Sequence, residues 1–157
     1  MSPQKSMPSA DSTTKLEQKG ETNNPDENYK ILIERGVADK LSPKSTGKIY
    51  FQFARQTEEK RNYLQISDTD GGGLHSREMI PLEKIITILS GQAGHPFKSS
   101  VLKECMVGKS SNNSSFLAAI LRASDIRLIK PSENSTFLHV LVDDFDKRST
   151  ALLKRSS

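Results

Sequence analysis

Few residues in this chain have the type and spacing for bond-making chemistry. Three histidines, His75, His95 and His139, lie far apart, and there is a single cysteine, Cys105. A zinc site draws on His and Cys in close pairs, and no such pair occurs. Asp68 and Asp70 in DTDGGG resemble the opening of a calcium loop. The twelfth position counted from Asp68 is Met79, where that loop needs a glutamate. Gly71, Gly72 and Gly73 lead into Leu-His-Ser and lack the Lys-Ser/Thr of a phosphate loop. No serine stands in GxSxG. The paired carboxylates Glu58-Glu59 and Asp143-Asp144 sit in charged stretches. General acid–base catalysis needs a carboxylate perturbed by burial. The reading is of a non-enzymatic protein with no metal and no cofactor.

What remains is suited to binding. Lys109, Ser110, Ser111, Asn112 and Asn113 cluster, followed by Ser115 and Arg122. Asparagine bonds an adenine edge bidentately, and serine or lysine at a helix start holds phosphate. Lys98 and Lys130 flank this group. A second set is Tyr50, Phe51, Phe53 and Tyr63 beside Lys48, Arg55, Lys60 and Arg61. Aromatics on a sheet among cations can stack the bases of a single strand. The net charge of +4 and pI of about 9.2 permit phosphate neutralisation without demanding it.

The elements that position these residues follow from periodicity. Residues 1–28 contain no aromatic, and their only sizeable aliphatic side chains after the initiator are Met7 and Leu16. Such a stretch buries too little to offset chain entropy, so a disordered arm is expected. The rest is long enough for one core. Tyr29, Leu32, Ile33 and Val37 recur at helical spacing and predict a short helix over 27–37, although ILI also suits a strand. Residues 38–47 are a connection. Ile49, Phe51 and Phe53 alternate with Tyr50 and Gln52, a strand with its phenylalanines buried and Tyr50 and Gln52 facing out. A charged loop, 55–62, leads to a second strand, 63–67. Its length lets the strand ends extend into it. A glycine turn, 68–73, follows, then a third strand or extended lead-in, 74–80. Pro81 suits a first helical position, and Leu82, Ile85, Ile86 and Leu89 mark an amphipathic helix.

Further on, the pattern predicts a helix over 99–107 ending at Gly108 and a second helix over about 112–124. A hairpin then pairs 126–130 with 136–142. On the second helix, Leu117, Ile120, Leu121 and Ser124 share one side, and Ser111, Ser115, Ala118 and Arg122 the other. Cys105 sits beside Leu102 on an apolar face, as a buried inert thiol does. Helix, helix, turn, helix and hairpin, over 81–144, resembles the winged helix-turn-helix superfamily. That resemblance implies a second helix in the major groove and a hairpin wing on the backbone. Lys48 to Leu89, strand–strand–helix, looks like small single-strand-binding modules of the transcription-coactivator or Pur type.

The expected fold is therefore α+β. A helix and small antiparallel sheet occupy 29–80, a winged helix occupies 81–144, and a tail over 145–157 adds a short helix. The expected function is non-enzymatic binding of double-stranded DNA in transcription regulation or maintenance. Lys98, Lys109, Ser111, Asn112, Asn113, Ser115, Arg122 and Lys130 would form the DNA-binding set. The alternatives are a protein-interaction module, with a protein partner or a second copy, and a single-strand binder using the aromatic sheet. No apolar run reaches the ~20 residues of a membrane span, and the N-terminus lacks a signal-peptide apolar core. The expected location is cytoplasmic, or nuclear in a eukaryote.

Overall fold

The strand β2, Lys48–Gln56, carries the architecture. Ile49, Phe51 and Phe53 are fully buried, while Tyr50 and Gln52 between them keep part of their surface. The computed structural model describes residues 28–157. Apart from Asn28, the arm expected over 1–28 lies outside them. Strand β3, Arg61–Thr69, pairs antiparallel with β2 and sets Leu64 opposite Phe53 and Ile66 opposite Phe51. Both strands run into the charged segment between them. Only 57–60 remain as a connection, turned by Lys60 at φ 59.

Residues 29–39 form a strand, β1 (Tyr29–Asp39), and not the helix that the spacing over 27–37 predicts. The same residues satisfy both periods poorly, so tertiary pairing decides. β2 offers a full hydrogen-bonding edge, and β-branched Ile31, Ile33 and Val37 suit a strand. The register slips between Ile31 and Ile33 and again between Ile33 and Gly36, the latter pairing with Phe51. A Cβ on Gly36 would lie 2.2 Å from Cζ of the Phe51 ring. The glycine is there so that the ring can lie against bare backbone.

Of the expected third strand, only Ile80 joins β4 (Ile80–Pro81), next to β3. Ahead of it, side chains replace part of the ladder. Gln65 Nε2 donates to the Arg77 carbonyl at 2.6 Å, and Arg77 Nη1 donates to the Ser67 carbonyl at 2.6 Å. The sheet order is β1-β2-β3-β4. Helix α1, Leu82–Ser90, begins one residue after Pro81 and buries Leu82, Ile85 and Leu89.

The next helix is a 3-10 turn, Ser99–Cys105, where an α-helix to Val107 was expected. Its apolar residues Leu102 and Cys105 repeat at three, the 3-10 period, and both are buried. Burial also pushes the Cys105 thiol up to about 11, so it stays protonated. Helix α2, Asn112–Arg122, is buried at every position from Asn113 to Leu121 except Ser115. Ala118, expected to face outward, is completely buried. A two-stranded hairpin follows, β5 (Ile129–Pro131) and β6 (His139–Leu141), shorter than the pattern suggested.

Helix α3, Phe145–Lys154, closes the chain and buries Phe145, Ser149 and Leu152. Its C-terminal carbonyls are capped from the sheet. Asn62 Nδ2, buried in β3, donates to the Leu152 carbonyl at 2.7 Å and the Arg155 carbonyl at 3.0 Å. All helices contribute to one core with the buried side of the sheet, giving an α+β fold. Among the described residues no helix is long and apolar enough to cross a membrane.

Gly36→Ala should lower stability by about 2 kcal/mol, the usual cost of overpacking a tight contact. A urea titration reads this directly. An unshifted midpoint would mean that the Phe51 ring moves aside freely.

Candidate nucleic-acid interface

The sheet has a second face, and its composition differs sharply from the first. The pairings Tyr29–Gln56, Ile31–Ala54, Val37–Tyr50, Gln52–Gln65 and Ala54–Tyr63 place these residues together on it. All three tyrosines of the chain, Tyr29, Tyr50 and Tyr63, stand there. Five of the six phenylalanines are buried in the core instead. A phenol tolerates water where a benzyl group does not, so the split between the two residue types marks the two faces.

Tyr29 and Tyr63 meet edge to face, with centroids 5.6 Å apart. Burial, the larger effect, and nearby Glu59 push both phenols up, so they remain neutral donors. Ala54, paired with Ile31 on one side and Tyr63 on the other, is completely covered. At the other end the Arg35 guanidinium lies 3.9 Å from the centroid of Tyr50. Tyr50 Oη donates to Asp70 Oδ2 at 3.1 Å, and the same oxygen accepts the Lys48 amide at 3.0 Å. Two further carboxylates lie near this end: Asp39, paired at the surface with the Lys48 ammonium, and exposed Asp68, opposite Tyr50, which accepts the Thr69 amide at 2.8 Å. Arg61 sits 3.7 Å from Glu83, whereas Arg35, Lys60 and Arg77 form no ion pair among the described residues.

The residues proposed from sequence for DNA are placed differently. Lys98, Lys109 and Ser111 are exposed. Lys130 is exposed too and approaches Asp143 at 3.7 Å. Ser115 is half-buried and donates to the Asn112 carbonyl at 3.1 Å. Asn112 and Asn113 turn toward the lead-in to β4. Asn112 Nδ2 donates to the Leu74 carbonyl at 3.0 Å, as does Ser110 Oγ at 2.6 Å. Asn113, 4% exposed, accepts the Ser76 amide at 2.9 Å. Both oxygens of Glu78 then accept the amides of Val107 and Gly108, at 2.7 and 2.9 Å. This polar cluster fastens the glycine-rich segment to the start of α2.

Arg122 is equally committed. Its Nε donates to His139 Nδ1 at 3.1 Å, and its Nη2 donates to the Thr136 carbonyl at 2.7 Å. His139 Nε2 lies 2.7 Å from Ser99 Oγ. A serine beside a histidine invites a nucleophile reading, and the tautomer argues against it. Arg122 Nε can only donate, so Nδ1 must accept and Nε2 carries the proton. His139 therefore donates to Ser99 and is not available to take its proton as a base. The three side chains tie β6, α2 and the 3-10 helix together.

Arg35, Tyr29, Gln65 and Arg77 did not stand out in the sequence. The spacing around Tyr29 fits a helix, and Arg35 falls in a slip of register that no alternation rule locates. No family model, curated protein or solved structure matches the chain.

Burial, reinforced by the charge of Arg122, pushes His139 down to about 4. An unfolded histidine takes its proton near pH 6.5. On acidification the unfolded chain binds that proton first, so stability is complete above pH 6.5 and is lost as pH falls toward 4. Between pH 7 and pH 5 the loss should be roughly 2 kcal/mol. Urea midpoints of the protein and of His139→Gln measure it. The variant should have a flatter pH profile, and equal slopes would remove His139 as the cause.

Proposed function

We propose that the protein is a non-enzymatic single-stranded nucleic-acid-binding protein that stacks bases on the open face of its four-stranded sheet. The observation that carries this reading is the gathering of all three tyrosines on that one face. Base–aromatic stacking contributes about 1–3 kcal/mol per base and tolerates any sequence. Arg35 lies over Tyr50, Arg77 is bonded to the Ser67 carbonyl of β3, and Tyr63 Oη donates to Glu59 at 3.4 Å. Arg35, Lys60 and Arg77 carry charge without an ion partner among the described residues, as phosphate contacts require. Gln52 and Gln65 are paired across β2 and β3 between the two aromatic ends, and Gln65 Nε2 is held by the Arg77 carbonyl.

The winged-helix reading of 81–144 with duplex DNA takes second place on a specific observation. A recognition helix needs a free outer face for the major groove. Helix α2 is buried along most of its length, and Asn113 and Arg122 hold internal hydrogen bonds. Lys109, Ser111 and Lys98 remain available only at the ends of elements.

The chain contains no tryptophan, so its intrinsic emission comes from these tyrosines alone. Adding an oligothymidylate of about 12 nucleotides should quench it, with affinity that falls as salt rises. Tyr63→Ala should weaken binding by about tenfold. A matched duplex that binds as tightly as the single strand would overturn the reading, as would no binding at low salt.

A further inference from the structure

Arg35 and Tyr50 are built as a pair with one fixed and one movable member. The ring is fixed: its hydroxyl donates to Asp70 Oδ2, and that carboxylate also accepts the backbone amide of Lys48. The guanidinium is held only by the ring it covers. Among the described residues Arg35 has no ion pair and no hydrogen bond from its side chain, and it is exposed. It also lies where β1 slips register between Ile33 and Gly36, so Glu34 and Arg35 have no paired position on β2. A bulged residue of this kind re-aims its side chain without breaking the ladder on either side.

An arginine stacked on an aromatic ring presents two flat surfaces separated by a soft contact. Exposed cation–π contacts of this type are weak, about 0.5–1 kcal/mol, so a better stacking partner can displace them. A nucleobase is such a partner. It stacks on the ring, and the planar guanidinium can stack on its far side.

We propose that Arg35 and Tyr50 form a two-sided clamp for one nucleobase of the bound strand, with Arg35 lifting from the ring to close over the base. The clamp rests on the sheet-face reading above. It assigns the Tyr50 end as a base-gripping subsite and the Tyr29–Tyr63 end as an open stacking platform. Lysine cannot replace arginine in this role, because an ammonium has no flat face.

The test uses the full chain and oligothymidylate. Arg35→Ala should weaken binding about fivefold, and Arg35→Lys should weaken it nearly as much despite keeping the charge. The double variant Tyr29→Phe/Tyr63→Phe keeps stacking surfaces and leaves Tyr50 as the only emitter. Its emission should be quenched by the oligonucleotide, and less so when Arg35→Ala is added. Full rescue by Arg35→Lys would reduce Arg35 to a phosphate contact and overturn the clamp. Unquenched Tyr50 emission, or unaltered affinity in Arg35→Ala, would also overturn it. If the unaltered protein binds and Tyr63→Ala weakens it, those failures leave the sheet-face reading standing. If the unaltered protein does not bind, both fall together.

Discussion

The Phe51 ring fills the space that a side chain at residue 36 would occupy, and much of the molecule depends on that contact. It draws β1 close over β2 while the register slips on either side of Ile33. Because Phe51 and its neighbours Ile49 and Phe53 all point one way, the helices have a single apolar surface on which to pack. Among the described residues, Tyr50, Gln52 and Gln56 on the opposite side of the same strand keep part of their surface. The bulge that accommodates Gly36 also carries Arg35 to the open face. One packing constraint on the core side thus places a cation beside Tyr50 on the other.

The C-terminal half is fastened around its apolar core by half-buried polar side chains. Glu78 binds the amides at 107 and 108, Asn112 and Ser110 bind the Leu74 carbonyl, and Arg122 binds His139 and the hairpin carbonyls. Most of these bonds lie at the surface, where each contributes about 0.5–1.5 kcal/mol. They explain why Ser110, Asn112 and Asn113 in the polar stretch Lys109 to Ser115 are held in place while Lys109 and Ser111 stay exposed. Its side chains replace the backbone pairing that the segment ahead of β4 lacks. Asn62 does the equivalent work for α3, ending that helix against β3.

Much of the fold was legible. The alternation of Ile49, Phe51 and Phe53 identified both the central strand and its buried face. Leu82, Ile85 and Leu89 identified α1, and Leu117, Ile120 and Leu121 the apolar side of α2. The strand Tyr29 to Asp39 was not legible, because its apolar spacing fits a helix and its pairing partner lies in another element. The 3-10 geometry of Ser99–Cys105 was not legible, because Leu102 and Cys105 satisfy an i, i+3 relation in an α-helix as well. In the site, Tyr50 and Tyr63 were already a candidate set. Asn113 and Arg122 looked like ligand-facing residues because a polar residue on a helix ordinarily points to solvent.

By itself the sequence determined the periodicities, the near-absence of catalytic and metal-ligand spacing, and the division of aromatics into phenols and benzyl groups. Those are local properties, set by residue type and by repeats of two or of about 3.6 along the chain. Only the tertiary structure decided which polar side chains were used up internally. It also decided that Tyr29 joins Tyr63 across β2, and that Arg35 lies over Tyr50. Each of these is a meeting of residues from different strands or helices. Strand register and helix packing fix such meetings, and no local pattern encodes them.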